Sequence, residues 1–400
     1  MKKHFVHFYL GLSCLYSLQG TLYASGGIFS QALLAIKLVI SFYFFLVANF
    51  QFKLPKVLRL LSALIVVWII YGSLSIMSGS KVGWISSYYY LRNILNSLLP
   101  IYVFYVLVKR GQFTERVLMG WLYIFILIGI LQFYRYETLG YENSGREEFT
   151  NNTGYTILSI LPLLPLLYRK PLVQYSILAL LLFFILQSFK RGAIVSGFLC
   201  AVFLLIENHR IGRKENRGAD FKQIIRVVLT ISVIIASVYF VQAFMSTSDF
   251  FVRRIEKTME GDSSGRDVIY STYYSWFLNQ SNPFYFLFGN GADATIRIFS
   301  QYAHNDWLEI AINNGVLIMI LYAIFWVSLI RKTYYARKKD SVAFMMLVMY
   351  VIVYLFRTFF SMSYNDITIY ASCALGYALA TTESIRRNEL SKSVSNITTS

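Results

Sequence analysis

Long apolar runs follow one another along almost the whole chain, and they restrict its possible folds more than any other feature. A run of about 17 to 22 mostly apolar residues is long enough to cross the roughly 30 Å hydrocarbon core of a bilayer as a helix. We place such runs at residues 5–23, 29–50, 57–77, 90–108, 116–133, 154–168, 172–188, 191–206, 224–244, 307–330, 341–360 and 364–383. Only residues 187–191 separate the seventh run from the eighth, so these two are either separate helices or one broken helix. The sequence therefore predicts an all-α integral membrane protein with about twelve transmembrane helices.

The composition agrees with this class and argues against a soluble protein. Hydrophobic residues make up 56% of the 400 residues, and charged residues make up only 14%, compared with roughly 25% in soluble domains. The three cysteines, Cys14, Cys200 and Cys373, lie far apart inside apolar runs. They form no CxxC pair, no metal spacing and no evident disulfide framework.

The positions of the basic residues predict the orientation of the chain. If the amino terminus is cytoplasmic, 24 of the 37 Lys and Arg residues fall in short cytoplasmic segments, as the positive-inside rule requires. Both termini are then cytoplasmic. The net charge of +17 is explained mainly by topology, so no nucleic-acid partner is expected. The start, Met1-Lys2-Lys3 before an apolar run, also resembles a signal peptide, but Leu22 does not suit cleavage and we favour an uncleaved span.

This orientation divides the chain into four parts. Residues 1–244 form a membrane bundle of nine spans, residues 245–306 form a long loop outside the cytoplasm, residues 307–383 form the last three spans, and residues 384–400 form a cytoplasmic tail. The loop is the longest polar interruption of the sequence, and we expect it to contain short amphipathic helices. Most of the water-facing material available for chemistry is there.

Arginines outside the cytoplasm run against the topological bias, so each needs another explanation. Five arginines are in this position: Arg191, Arg253, Arg254, Arg266 and Arg357. Such a side chain either snorkels to the lipid headgroups or contacts an anion, since a guanidinium can hold two phosphate oxygens at once. Gly192, after Arg191, permits close approach of backbone or ligand.

Arg266 precedes a predicted amphipathic helix. Ile269, Tyr273, Trp276 and Phe277 recur at helical spacing within residues 268–278, behind a Ser263-Ser264-Gly265 turn that we expect to cap the helix. A cation in the first helical turn is unfavourable to the helix dipole. It therefore indicates an external anionic partner, or else an ion pair with Asp262 or Asp267.

His304 is a candidate general base. We read Asp306 as an N-cap with Glu309 as its capping-box partner, which puts His304 just before a helix amino terminus. The helix dipole there favours neutral imidazole, which can accept a proton from a hydroxyl. The same amino terminus favours a bound phosphate. The alternative is an ordinary loop histidine that bonds to Asp306 or to water.

Lys37 and the lack of metal-ligand spacing are two further features of the sequence. Lys37 lies within the second apolar run, where it either snorkels to the surface or pairs inside the bundle. The outward loops contain no cluster with metal-ligand spacing, so no metal and no cofactor are expected.

Several segments together resemble the bacterial O-antigen polymerase and O-antigen ligase superfamily. These segments are Ser188-Phe189-Lys190-Arg191-Gly192, Ser264-Gly265-Arg266, Phe288-Gly289-Asn290-Gly291, Tyr302-Ala303-His304-Asn305-Asp306-Trp307-Leu308-Glu309 and Asn314-Gly315-Val316. They cover roughly residues 187–316, and the rest of the chain resembles the family only in hydropathy. Lys190 stands where the family often has Ser.

The resemblance implies a GT-C-like bundle and a metal-independent glycosyltransferase on the outer face of the bacterial inner membrane. The implied donor and acceptor are oligosaccharides on undecaprenyl diphosphate, and a chain-length regulator protein is a further partner consistent with the family. His304 would deprotonate the acceptor hydroxyl, and Arg191 and Arg266 would hold the diphosphate. Residues expected to contact substrate are Arg253, Arg254, Asn305, Tyr302 and Arg357.

Four interpretations stay open at this point. A polymerase joins lipid-linked repeat units, and we favour it by analogy with aromatic, divergent family members of this size. A ligase instead transfers finished polymer to the lipid A core. From another class, the chain could be a flippase for lipid-linked oligosaccharides, although no internal repeat is evident. The remaining interpretation is a membrane assembly protein without catalytic activity.

Overall fold

The computed structural model describes residues 4–23, 26–78, 81–144, 150–215 and 265–398, together with a few isolated positions between 216 and 264. Within the described residues the regular structure is helical, without β-strands. We number the described helices in chain order as α1 His4–Ser17, α2 Ile28–Gln51, α3 Lys56–Ser78, α4 Lys81–Lys109, α5 Glu115–Ser144, α6 Thr153–Leu158, α7 Pro171–Gln187, α8 Arg191–Glu215, α9 Arg266–Leu278, α10 Pro283–Phe288, α11 Ala294–Phe299, α12 Asp306–Ala336, α13 Ser341–Phe360 and α14 Ile369–Thr398. A 3₁₀ helix at Leu161–Leu167 lies between α6 and α7.

Seven of the described helices are long and apolar enough to cross a membrane. They are α2, α3, α4, α5, α8, α12 and α13. Large apolar side chains on these helices are exposed, including Val39 (70%), Phe50 (83%) and Leu127 (58%). Exposed apolar surface of this extent suits contact with lipid acyl chains rather than with water. The chain is therefore a helical, multi-pass membrane protein.

The observed helices refine the predicted runs. The run at residues 341–360 coincides with α13, whereas those at 90–108 and 116–133 lie inside the longer α4 and α5. The seventh and eighth runs form two separate helices, α7 and α8, which pack against each other. The run at 154–168 is not one α-helix, because it contains Pro162 and Pro165 and continues after α6 as the 3₁₀ helix. The predicted span at 224–244 lies outside the described residues.

Helix α4 lies at the centre of the bundle, against α2, α3 and α14. Its residues 98–107 are buried on every face, as expected for a helix that is apolar all round. On α14, a Cβ at Gly376 would lie 2.6 Å from the carbonyl oxygen of Ile101. Small residues let two membrane helices approach closely, so Gly376 sets the distance between α14 and α4.

Helix α13 contacts several of the helices that surround His304. It packs against α8, α12, α14 and the 3₁₀ helix. The indole Nε1 of Trp307, at the start of α12, donates to Thr358 Oγ1 near the end of α13 at 3.0 Å. The carboxyl end of α13 therefore meets the amino end of α12.

Candidate functional site

The loop segment before α12 is fixed to α12 at two glycine-containing sites, a turn at Gly289–Gly291 and a break in α12 at Gly315. In the Gly289–Gly291 turn, the amide of Asn290 donates to the carbonyl oxygen of Ile312 at 2.9 Å. Gly315 interrupts α12 at φ +82° and ψ 172°, and a Cβ there would lie 2.2 Å from the carbonyl oxygen of Leu287. The backbones can approach this closely only because Gly315 has no side chain.

Side chains from α3 and α4 hold the same turns against the bundle. Trp68 Nε1 and the Tyr90 hydroxyl both donate to Oδ1 of Asn314, at 3.2 and 3.1 Å. The Tyr71 hydroxyl donates to the carbonyl oxygen of Phe288 at 2.5 Å. The two Asn-Gly sequences, Asn290-Gly291 and Asn314-Gly315, therefore form a docking point that fixes residues 287–291 against α12 and the bundle.

The start of α12 differs from the prediction. Asn305, not Asp306, is the N-cap, since its Oδ1 accepts from the amides of Trp307 and Leu308 at 2.9 and 3.2 Å. Asp306 is fully buried, and its carboxylate accepts from the amide of Ser363 and from the Tyr322 hydroxyl, both at 2.8 Å. A short polar side chain one residue earlier satisfies the helix terminus, which frees Asp306 to join the loop after α13 to the bundle.

The predicted capping box is also wrong. Glu309 is buried, and its carboxylate accepts from the Ala303 amide and from Thr295 Oγ1, both at 2.6 Å. It therefore stabilises the chain just before His304 instead of reaching back to the cap residue. The side-chain nitrogen Nδ2 of Asn305, the N-cap residue, donates to the carbonyl oxygen of Phe359 at 3.4 Å.

His304 occupies a strained position immediately before the N-cap. Its φ is +53°, in the left-handed region that non-glycine residues rarely adopt. The Tyr270 hydroxyl of α9 donates to the carbonyl oxygens of His304 at 3.1 Å and Phe359 at 2.9 Å. Strained residues that the surroundings hold in place are typical of functional sites.

Two cations lie close enough to His304 to affect its charge. Its pKa is lowered from the ordinary value by partial burial first, and then by the positive charges of Arg266 and Lys190. The lowered pKa favours the neutral imidazole, and its causes are burial and the neighbouring cations rather than the helix dipole alone. Arg266, expected near His304, is brought there by α9, and the predicted helix at 268–278 is observed as α9.

The predicted Ser263-Ser264-Gly265 cap is only partly tested. Gly265 occupies the N-cap at φ +77° without a side-chain cap, and the two serines lie outside the described residues.

The turn between α7 and α8 supplies Lys190 and Arg191. Phe189 has a φ of +53°, so a second left-handed non-glycine residue lies in this region. The amide of Asn151 donates to the Ser188 carbonyl oxygen at 2.9 Å, and Asn151 is itself buried. The turn is thereby held against the start of α6, with Arg191 as the first residue of α8.

Tyr155 on α6 lies between this turn and two arginines, Arg266 and Arg357. A Cβ at Gly192 would lie 2.6 Å from the Tyr155 hydroxyl oxygen. The guanidinium carbon of Arg357 lies 4.7 Å from the centre of the Tyr155 ring. Arg266 is also close enough to interact electrostatically with Tyr155. We call Tyr155, Lys190, Arg266, Tyr270 and His304 the His304 cluster.

Arg357, expected to contact substrate, is used inside the protein. It is 3% exposed, and its Nη2 forms an ion pair with Asp366 Oδ2 at 2.6 Å and donates to the carbonyl oxygen of Met362 at 3.1 Å. These bonds fix the turn between α13 and α14. A guanidinium held in this way is poorly suited to bind a phosphate as well.

Tyr302, another expected contact residue, lies two positions before His304 in the chain. Tyr302 is half-buried, and burial together with the nearby Asp293 and Glu309 raises the pKa of its phenol to about 12. Its hydroxyl bonds to Asp293. Arg253 and Arg254 lie outside the described residues.

Sequence reasoning missed Lys190, Tyr155 and Tyr270 as members of the site. Lys190 is adjacent to Arg191 and could have been included on position alone. The two tyrosines carry no such signal in a chain with 31 tyrosines, because only tertiary contacts distinguish them from membrane anchors.

The cluster combines a neutral proton acceptor with cations that can bind an anion. Within the described ranges, no three His, Cys, Asp or Glu side chains lie together in a way that could hold a metal ion. A scan of protein-family models found none that matches the chain, and a search of curated proteins found no match. The geometry of the site is therefore the basis for any functional conclusion.

Proposed function

We propose that this protein is a glycosyltransferase that polymerises lipid-linked repeat units of a bacterial surface polysaccharide, such as O-antigen. The observation that carries the proposal is the arrangement of the His304 cluster. Tyr270 of α9, the helix that begins with Arg266, donates to the His304 carbonyl oxygen, and Arg266 and Lys190 help to lower the pKa of His304. A general base needs a free nitrogen lone pair near its acceptor, and a diphosphate leaving group needs preorganised positive charge. One cluster offers both.

The proposed reaction is a displacement at the anomeric carbon of the donor sugar. The hydroxyl oxygen of the acceptor sugar forms the new bond to this carbon, and its proton passes to an imidazole nitrogen of His304. The bond from the anomeric carbon to the diphosphate oxygen breaks, and the oxygen keeps the electron pair. Arg266, Lys190 and Arg191 stabilise the added negative charge, a role that cations can fill without a metal.

The topology of the proposal follows from the basic residues. Twelve spans with both termini in the cytoplasm put the 245–306 loop on the outer face of the inner membrane. Nucleotide sugars and ATP are poor substrates at that face, whereas undecaprenyl-diphosphate-linked glycans are available there. The proposed parity counts α7 and α8 as two spans, and these segments are two separate helices.

A gene deletion in the native bacterium tests the proposal. Surface polysaccharide and carrier-linked intermediates are separated on gels. Loss of long chains, with single repeats still on the lipid A core, supports the polymerase. Full-length polymer stranded on the carrier lipid indicates a ligase, and repeat units on the carrier with none on the core indicate a flippase. Unchanged glycans contradict all three functions.

A further inference from the structure

A polar cavity lies in the helical bundle, next to the His304 cluster but not part of it. Its volume is about 360 Å³, and its wall includes Lys37, Asn93, Asn96, Gln132 and Asp366. This volume is at the lower end of the range for small-molecule pockets. Asp366 also pairs with Arg357, so that ion pair joins the cavity to the His304 cluster. We call it the Lys37 cavity.

Lys37 is buried in the cavity wall with little to match its charge. It is 4% exposed, and its ammonium donates to Asn96 Oδ1 at 2.7 Å and lies 5.3 Å from the centre of the Tyr16 ring. No carboxylate among the described residues lies within ion-pair distance of it. The carboxylate of Asp366 is engaged by Arg357 at 2.6 Å. The wall therefore carries an uncompensated cation with donors to spare, an arrangement that is costly unless an anion completes it.

Two further atoms of the wall are unsatisfied. Gln132 Oε1 and the Tyr370 hydroxyl are buried and have no hydrogen-bond partner in the described part of the chain. Both residues line the cavity. Buried polar atoms are normally hydrogen-bonded, so an acceptor and a hydroxyl without partners indicate a ligand that supplies the missing bonds. The remaining wall is rich in amides and hydroxyls, which suits a ligand with many hydroxyl groups.

We propose that the Lys37 cavity binds a carboxylate-bearing saccharide unit, such as a uronic acid. Its carboxylate lies against the Lys37 ammonium, its hydroxyls bond to Gln132 and the neighbouring amides, and its ring faces Tyr16. The cation and the unsatisfied atoms support an anionic, polyhydroxylated ligand directly. Only the step from such a ligand to a glycan substrate rests on the proposed function.

Binding to the purified protein in lipid nanodiscs tests this assignment. Saturation-transfer NMR is recorded with sodium D-glucuronate, with D-glucose and with sodium acetate. We expect glucuronate to bind, and both other probes to bind at least about tenfold more weakly. Glucose lacks the carboxylate that pairs with Lys37, and acetate lacks the ring hydroxyls. Glucose binding equal to glucuronate, or acetate binding equal to glucuronate, overturns the assignment, as does absence of glucuronate binding.

Two variants locate the bound sugar. Lys37→Met keeps the length of the side chain and removes its charge, so glucuronate binding should fall to the level of glucose. Arg266→Ala, in the His304 cluster, should leave glucuronate binding unchanged. The reverse result overturns the proposal. If Lys37→Met does not fold, Thr156→Phe, which fills the cavity from α6, should abolish binding. Because this measurement needs no polymer, its failure is distinct from an unchanged glycan pattern in the gene deletion.

Discussion

The His304 cluster and the Lys37 cavity adjoin at the Arg357–Asp366 ion pair, yet they are built in different ways. The cluster is assembled largely from turns and helix termini. His304 has a left-handed backbone, as does Phe189 next to Lys190. The cavity is lined largely by residues within helices. In the cluster two cations, Arg266 and Lys190, lie near one partly buried imidazole, whereas in the cavity one buried cation faces neutral amides.

This difference has a consequence for what each region can do. Turns can set side chains at angles that regular helices do not permit, which suits a reaction with a directed proton transfer. Side chains on packed helices form a polar cavity, which suits recognition. The two regions should therefore respond separately to substitution.

The largest expected effect is at the docking point of the loop. Gly315→Ala puts a Cβ 2.2 Å from the Leu287 carbonyl oxygen, at a backbone conformation reserved for glycine. We expect a loss of about 3 kcal/mol or more in stability and loss of chain growth, measured by thermal unfolding and by glycan gels. Glucuronate binding should survive at low temperature. Gly120→Ala on α5, with open space around it, is the control and should be neutral. An unaltered melting temperature for Gly315→Ala would contradict the described docking.

Removal of the proton acceptor should have the next largest effect. His304→Ala is expected to reduce chain growth by about 10²-fold or more, the usual contribution of a general base, without lowering the amount of protein in the membrane. Arg266→Ala should likewise abolish long chains. His209→Ala, near the other end of α8, is a matched histidine control and should be silent. Normal glycans from both cluster variants would exclude the roles assigned to them.

The pH dependence of chain growth should report on the cations around His304. Its pKa is lowered by burial and by Arg266 and Lys190, so the neutral form persists below the ordinary pKa of about 6.5. Activity should fall only as the pH drops through this lowered pKa. Lys190→Met removes one positive charge, raises the pKa of His304 and moves the acid limb to higher pH. Lys338→Met, in the turn between α12 and α13, is the control, and equal acid limbs in both variants would refute the coupling.

The smallest effect is expected at the ion pair that joins the two regions. Asp366→Asn leaves the buried Arg357 without its carboxylate, but the Asp366 side chain is 67% exposed. Solvent screening therefore limits the loss to about 1 kcal/mol, read from thermal unfolding. We expect modest changes in both glucuronate binding and chain growth. A change confined to one of the two would show that this pair does not couple the regions.

Sequence patterns predicted the helical class and some helices closely, but they could not predict most tertiary contacts. Apolar periodicity gave α13 and located α9, because both signals are local. The cap on α12 was wrong by one residue, since Asn305 and Asp306 are both good caps and burial against Ser363 decides between them. The ion pair of Arg357 with Asp366 was not predicted, because the two residues lie on opposite sides of a turn. Lys37 could not be interpreted without Gln132 and Tyr370, which are distant in sequence.

The most direct test of the account is whether the His304 cluster binds a lipid diphosphate. Native mass spectrometry of the protein released from nanodiscs, with added undecaprenyl diphosphate, counts bound lipid without requiring turnover. We predict a one-to-one adduct for the wild type and for Lys37→Met, and its loss from the double variant Lys190→Met, Arg266→Ala. An adduct that persists in the double variant, or that is lost from Lys37→Met instead, would contradict the assignment of the diphosphate to this cluster.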